Sequence, residues 1–192
     1  MPNSVLENTA TVANLLAAYE GESNAHAKYV GFAAKADAEG WHGAASLFRA
    51  AARAEEIHAK NHARVLKQLG AEAQCEIHAA EVKSTLENLK AALAGELYEI
   101  ETMYPASIAE ATESDLPIAK RSFAWAMEAE KTHAQLYAEA IELVAKSVKE
   151  SWAGSACDFY VCAACGYTTR TAKEQERCPV CNLAFDKFEV IR

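Results

Sequence analysis

Apolar residues recur at helical spacing through the first three quarters of the chain and outline four long segments. The first runs from about Thr9 to Ala38 and is broken by Gly40; the second runs from about Gly43 to Leu69 and is stopped by Gly70. The third starts near Val82 and extends past Pro105, which should kink it, and the fourth runs from about Leu116 to Lys149 with Asp115 as its N-cap. Short connections predict an up-down bundle. Glycine (8) and proline (4) are scarce and alanine is abundant, a bias that favours long, closely packed helices.

Each apolar stripe carries a carboxylate where a core residue belongs. The first reads Leu15, Tyr19, Glu22, Ala25/His26, Tyr29, Phe32, and the second Phe48, Ala51/Ala52, Glu55, His58/Ala59, His62, Val65/Leu66, Leu69. The third reads Leu86, Leu89, Leu93, Glu96, Glu99/Ile100, Met103, and the fourth Phe123, Ala126/Met127, Glu130, His133, Tyr137, Ile141, Val144. Glu20 and Glu56 fall off these faces.

Five inward carboxylates without partners would each cost several kcal/mol or be forced neutral, and cations at the centre remove that cost. Glu55-x-x-His58 and Glu130-x-x-His133 each place a carboxylate and an imidazole on one helix face, within reach of the same pair of ions. One Glu from each of two helices plus a Glu-x-x-His from each of the other two is the ligand arrangement of ferritin-like di-iron and di-manganese proteins. Glu22 and Glu55 are 33 positions apart and Glu96 and Glu130 are 34 apart, so the helix pairs read as duplicated halves. They differ where Glu99 follows Glu96 by three positions while Ala25 follows Glu22, which predicts an asymmetric site with a spare carboxylate. Tyr29 and Tyr104 serve either core packing or a hydrogen bond to a ligand carboxylate. His26 reads as a core residue or as support for a ligand; His42, His62 and His78 read as surface or helix-end residues without a role.

After Trp152-Ala153-Gly154-Ser155 the helical pattern gives way to short aromatic and β-branched runs, Phe159–Val161, Tyr167–Thr169 and Phe188–Ile191, which predict a small β module. Cys162-x-x-Cys165 and Cys178-x-x-Cys181 form two knuckles suited to a tetrahedral S₄ metal site. Such a site holds zinc structurally or iron as an electron carrier, and beside a bundle whose metals need electrons the iron reading fits better. Cys75 and Cys157 read as free thiols. The expected division is residues 1–151 for the bundle and 152–192 for the cysteine module.

The net charge of -8, with no Lys/Arg cluster, argues against a nucleic-acid surface. Met1 to Ala10 lacks a basic start followed by an apolar run, and no stretch approaches membrane-spanning length, so a cytoplasmic protein without a membrane partner is expected.

Gly21-Glu22-Ser23, Glu55-x-x-His58-Ala59, Gly95-Glu96-x-x-Glu99 with Met103-Tyr104-Pro105, Glu130-x-x-His133 and the paired Cys-x-x-Cys together resemble rubrerythrin over nearly the whole chain. Glu99 separates the pattern from ferritins and bacterioferritins, and the 12-residue gap between the cysteine pairs is shorter than in free rubredoxins. Asn182 departs from the more usual glycine after the second knuckle, a position where Asn also tolerates a left-handed backbone. The resemblance implies a mainly α protein, a ferritin-like four-helix bundle with a C-terminal rubredoxin-like module. It implies an oxo- and carboxylate-bridged di-iron peroxidase that reduces hydrogen peroxide to water in oxidative-stress defence, fed from NAD(P)H through a reductase or rubredoxin. Glu55 and Glu130 would bridge the irons, Glu22 and Glu96 cap them, and His58 and His133 supply nitrogen. His58 and Glu99 would alternate as ligands with oxidation state, and the chain would form a homodimer or higher homo-oligomer. The rival readings are a ferritin-like ferroxidase and a structural protein with zinc in its tail.

Overall fold

The computed structural model describes residues 10–171 and 176–192, so the predicted helix start at Thr9 lies outside the described residues. The chain forms α1 (Ala10–Ala38), α2 (His42–Gln68), α3 (Thr85–Tyr98), a π-helical turn (Glu99–Met103), α4 (Tyr104–Glu113) and α5 (Pro117–Ala145). Three short strands follow: β1 (Phe159–Cys162), β2 (Thr168–Thr169) and β3 (Phe188–Ile191), an antiparallel sheet in the order β2-β1-β3. This is a ferritin-like bundle with a rubredoxin-like tail.

The same C-terminal device closes all four long helical runs: a residue in the left-handed region follows the last turn and lets the chain fold back on the final carbonyls. Gly40, Gly70, Asp115 and Ser147 occupy that position with φ of 77°, 86°, 51° and 56°. Asp115 therefore terminates α4, its N–H bonding Thr112 O at 3.2 Å, and is not the N-cap predicted for the next helix. That helix starts on Pro117, whose fixed φ suits a first turn, and it stops at Ala145 rather than Lys149 because the chain reverses at Ser147. α3 starts at Thr85, three residues later than Val82, because Ser84 and Glu87 form a reciprocal capping box.

The connection from α2 to α3 corrects the simple up-down expectation. It spans residues 69–84 and runs the length of α1: Asn24 Nδ2 donates to Glu76 O (2.9 Å), His78 N–H to Asn24 Oδ1 (2.8 Å) and Thr85 N–H to Glu39 Oε2 (2.8 Å). α3 consequently begins beside the end of α1 and runs parallel to α2. Such a crossover is the ferritin-like variant of bundle topology.

Two apolar clusters fill the bundle, one around Phe32, Phe48, Tyr29 and Tyr137, the other around Leu15, Leu66, Tyr104 and Phe123. On every helix the acidic residue falls between them, so the carboxylates form one buried layer. The tail shares the first cluster through Phe159 and Val161, both fully buried. Arg53 clamps Glu189 of β3 with two bonds of 2.6 and 2.7 Å, and Gly43 N–H and Ala44 N–H bond Ala153 O at 3.1 and 3.0 Å. Among the described residues no helix is long and apolar enough to cross a membrane.

Candidate metal centres

Glu22, Glu55, His58, Glu96, Glu130 and His133 are each at most 1% exposed. Their ligand atoms fall into two overlapping groups, Glu22, Glu55, His58 and Glu130 on one side and Glu55, Glu96, Glu130 and His133 on the other, each group spanning no more than 4.8 Å. Glu55 and Glu130 belong to both groups. His58 Nδ1 lies 3.0 Å from Glu55 Oε2, 2.8 Å from Glu130 Oε1 and 3.7 Å from Glu22 Oε1. His133 Nδ1 lies 2.7 Å from Glu130 Oε2, 4.0 Å from Glu55 Oε1 and 3.9 Å from Glu96 Oε2.

The outer nitrogens of both rings are held by the tail. His58 Nε2 is 3.0 Å from Cys165 O, and a carbonyl only accepts, so Nε2 carries the proton. His133 Nε2 is 3.0 Å from Thr168 Oγ1, which spends its own proton on Gly166 O at 2.9 Å, so this Nε2 is a donor too. With both Nε2–H groups committed outward, each Nδ1 faces the carboxylates either as an imidazolium N–H or as a lone pair for a metal. Gly166 makes the close approach possible: it has φ +78°, and a Cβ there would lie 2.3 Å from His58 Nε2.

Electrostatics exposes the imbalance of the layer. Burial, then the charges of Glu55 and Glu130, drives Glu22 and Glu96 well above the ordinary carboxylate range, and burial with the charge of Glu130 pushes Glu55 up to about 7. Glu130 goes the other way: burial resists its ionisation, but His58 and His133 outweigh that and hold its pKa far down. Glu22 Oε2 and Glu96 Oε2 are buried without a hydrogen-bond donor among the described residues. Oxygen and imidazole donors in excess of positive charge, with orphaned oxygens turned inward, fit two divalent cations sharing Glu55 and Glu130.

A tyrosine steadies each outer carboxylate. Tyr29 on α1 donates to Glu96 Oε1 at 2.8 Å, and Tyr104 on α4 donates to Glu22 Oε1. Glu99, the predicted spare carboxylate, lies outside both ligand groups. It opens the π turn, and burial together with Glu22 and Glu130 raises its pKa well above normal, while His58 and Lys28 oppose the rise. His62 corrects the expectation of a surface role. It is 0% exposed, with Nε2 3.3 Å from Tyr104 Oη and Nδ1 2.9 Å from Ser122 Oγ. The signal was in the stripe, since His62 follows His58 by four positions on the same helix face. His26 Nδ1 meets Ala52 O at 2.7 Å, and His42 pairs with Asp37 in solvent.

In the tail, the sulfurs of Cys162, Cys165, Cys178 and Cys181 all lie within 4.8 Å of one another, with Cys162–Cys181 and Cys165–Cys178 at 3.4 and 3.5 Å. These separations are too long for disulfides and suit four thiolates around one ion. The knuckles are equivalent: Gly166 N–H bonds Cys162 O at 2.9 Å and Asn182 N–H bonds Cys178 O at 3.0 Å, and Asn182 takes φ 64° where its counterpart is glycine. Trp125 of α5 packs against the cysteine cluster.

The rubrerythrin family model matches residues 13–141, which is more than half of the chain. The chain belongs to the rubrerythrin family. Rubrerythrin-2 of Clostridium acetobutylicum is 37% identical over 186 residues, covering 96% of this chain and 98% of that protein. Nigerythrin of Nitratidesulfovibrio vulgaris is 34% identical over 180 residues, covering 93% and 85%. Nigerythrin in its fully reduced, all-ferrous state superposes with a TM-score of 0.84 at 33% identity, covering 98% of this chain and 94% of that one. Bacterioferritin BfrA of Mycobacterium tuberculosis, at 19% identity and a TM-score of 0.68 over 76% of this chain and 92% of its own, shares the fold. The carboxylate–histidine layer and the four-cysteine cluster are thus the di-iron and mononuclear iron positions of a rubrerythrin-family protein.

Proposed function

We propose that this chain is a non-haem di-iron peroxidase that reduces hydrogen peroxide to water, drawing electrons through an Fe(Cys)₄ centre in its tail, and that it serves in defence against oxidative stress. The observation that carries the reading is the place of His58, whose Nδ1 faces the carboxylate layer while its Nε2–H bonds the carbonyl of the cysteine ligand Cys165. A tail that served only as a structural zinc knuckle would have no need of that bond.

Iron held in the layer would supply the electron pair needed to reduce peroxide, and iron held by the four cysteines would supply single electrons to restore it. The chain's own residues set the geometry. Glu55 and Glu130 would hold both ions and Glu22 and Glu96 would close the two ends, while Tyr104 and Tyr29 fix the orientation of those end carboxylates. Burial and the adjoining carboxylates raise the pKa of both tyrosines, so each stays protonated and remains a donor. Glu99 is the alternative ligand: its carboxylate stands near Glu22, Glu130 and His58, and a π turn is a common device at functional sites because it re-aims a side chain within a helix. Glu99 would offer a hard oxygen donor suited to ferric iron, and His58 a nitrogen donor suited to ferrous iron.

The electron source is an NAD(P)H-linked reductase or a rubredoxin. Six cysteines without a disulfide among them fit a reducing compartment such as the cytoplasm. Exposed Val30, Val82, Leu97 and Tyr98 support assembly as a homodimer or larger homo-oligomer. The division at residues 151 and 152 separates the unit that reacts with peroxide from the unit that delivers electrons.

Stopped-flow mixing tests the proposal. Fully reduced protein should be reoxidised by hydrogen peroxide at least about tenfold faster than by air-saturated buffer, and Glu99→Ala should keep its iron yet lose most of that advantage. Equal rates with the two oxidants would favour a ferroxidase, and undiminished peroxide turnover in Glu99→Ala would remove the ligand exchange.

A further inference from the structure

His62 is a buried histidine that the proposed chemistry does not use. Its two hydrogen bonds continue a one-way series: Ser122 Oγ–H donates to His62 Nδ1 at 2.9 Å, His62 Nε2–H reaches Tyr104 Oη at 3.3 Å, and Tyr104 O–H donates to Glu22 Oε1. The direction is fixed by the last bond, because a tyrosine oxygen that gives its proton to a carboxylate has only its lone pairs to offer His62. His62 therefore carries a proton on Nε2. Its burial, reinforced by His58, pulls its pKa down to about 3, in agreement with a neutral ring.

The outer end of the series reaches the edge of the bundle at Ser122, of which 6% is exposed. Ser122 lines a surface cleft with Asn61, Arg64, Gln68, Arg121 and Trp125. Phe123 packs on both His62 and Tyr104, at ring separations of 5.4 and 6.1 Å, and both are 0% exposed. No such route is found among the described residues at the pseudo-equivalent position on α5. Tyr137 follows His133 by four positions as His62 follows His58, but its hydroxyl makes no well-formed hydrogen bond among the described residues.

We propose that Ser122, His62 and Tyr104 form a proton relay from this cleft to the Glu22 end of the dimetal layer, with His62 as its obligatory middle member. Resting on the peroxidase reading, the relay supplies protons to a reaction in which one hydrogen peroxide, two electrons and two protons give two waters. In one passage a proton from water enters at Ser122 Oγ, the Ser122 proton moves to Nδ1, the Nε2 proton moves to Tyr104 Oη, and the tyrosine proton passes by way of Glu22 Oε1 to an oxygen of the peroxide being reduced. One proton enters and one leaves, and the ring changes tautomer but not charge. His62 and Ser122 are positioning and relay residues; neither belongs to the metal ligand groups.

Three variants separate a relay from a packing role. His62→Phe fills the space with a ring that cannot carry a proton. His62→Gln can hydrogen-bond to both Tyr104 and Ser122 yet cannot exchange one proton for another at two nitrogens. Ser122→Ala removes the entry hydroxyl. Iron content should be unchanged in all three, while peroxide oxidation of the reduced protein slows at least about tenfold in His62→Phe and equally in His62→Gln, the low end of what a proton-transfer group contributes. Restoration of the rate by Gln, or no loss in Phe, would overturn the relay.

A second readout does not depend on the reaction. In ¹⁵N-histidine-labelled full-length protein carrying zinc at its metal positions, NMR should find His62 as the Nε2–H tautomer, with that proton exchanging with water and exchanging more slowly in Ser122→Ala. An Nδ1–H tautomer, or an Nε2–H protected for hours, would sink the relay even if peroxide is the substrate. If instead peroxide turnover is absent while the tautomer and exchange are as expected, the proton path stands and the peroxidase reading fails.

Discussion

Glu22 and Tyr29 on α1 stand to Phe48, Glu55 and His58 on α2 as Glu96 and Tyr104, on α3 and α4, stand to Phe123, Glu130 and His133 on α5. The tyrosines cross over, each reaching the end carboxylate of the other half. Against that repetition, two differences stand out. Tyr29 follows Glu22 by seven positions, two α-helical turns, whereas Tyr104 follows Glu96 by eight, and the π turn at Glu99–Met103 absorbs the extra residue so that Tyr104 still faces inward. The same residue accounts for the 34-position spacing of Glu96 and Glu130 against 33 in the other half. The second difference is His62 in place of Tyr137, a polar path at one end of the layer against a sealed aromatic cluster of Tyr29, Phe32, Phe48 and Tyr137 at the other. A duplicated frame holds two metals alike, and small departures from the repeat make their surroundings unlike.

The comparison breaks most severely at the residues the two halves share. Glu55→Ala or Glu130→Ala should lose both bundle metals, weakening affinity more than about 100-fold, beyond what loss of an outer partner costs, whereas Glu22→Ala or Glu96→Ala should weaken one site more than the other. Metal analysis after dialysis against a chelator distinguishes the two patterns. Next in size is Gly166→Ala, which drives a methyl group into His58 and takes a left-handed residue from the knuckle. A loss of about 2–4 kcal/mol in thermal or denaturant unfolding is expected, with earlier release of the tail to protease than of the bundle.

The tyrosine pair sharpens the asymmetry. Tyr104→Phe interrupts the route to solvent and should slow peroxide oxidation roughly tenfold, while Tyr29→Phe, at the sealed end, should slow it less than about threefold. Equal effects in rapid-mixing traces would mean that the two ends work alike.

Much of this frame was legible in the residues. The inward carboxylates stood out because each interrupts an apolar stripe of period 3.6, and the cysteine pairs because their spacing is tight enough to survive any uncertainty in the fold. The capping box at Ser84 and Glu87 was equally readable and fixes the start of α3. Other features depend on tertiary structure. Asp115 reads as the N-cap of the last helix from its place before Leu116, and only the fold shows that it ends α4. The burial of His62 depends on Tyr104 and Ser122, 42 and 60 positions away. The crossover along α1 rests on exposed polar contacts to Asn24 and Glu39, which leave no periodic trace.

The smallest expected effect concerns the clamp between tail and bundle. Arg53, through two hydrogen bonds, holds the Glu189 carboxyl below its usual range. A carboxylate with a depressed folded-state pKa contributes stability that is complete above its unfolded pKa of about 4.3 and is lost as pH falls through the lower folded value. Tail protection in hydrogen exchange should therefore fall as pH drops below about 4, and Glu189→Gln should lose that dependence. The pair is partly exposed, so its worth is no more than about 1 kcal/mol.

The most direct test of the account is an anaerobic titration of the metal-free chain with ⁵⁷Fe(II), followed by Mössbauer spectroscopy of the reduced and oxidised forms. Iron should bind in a ratio of about two to one, two parts as a coupled oxygen- and nitrogen-ligated pair that disappears in Glu55→Ala, and one part as a tetrathiolate centre that survives in it. A spectrum with tetrathiolate iron alone, or a pair undisturbed by Glu55→Ala, would contradict the claim that the carboxylates and histidines of the four-helix layer hold two ions between them.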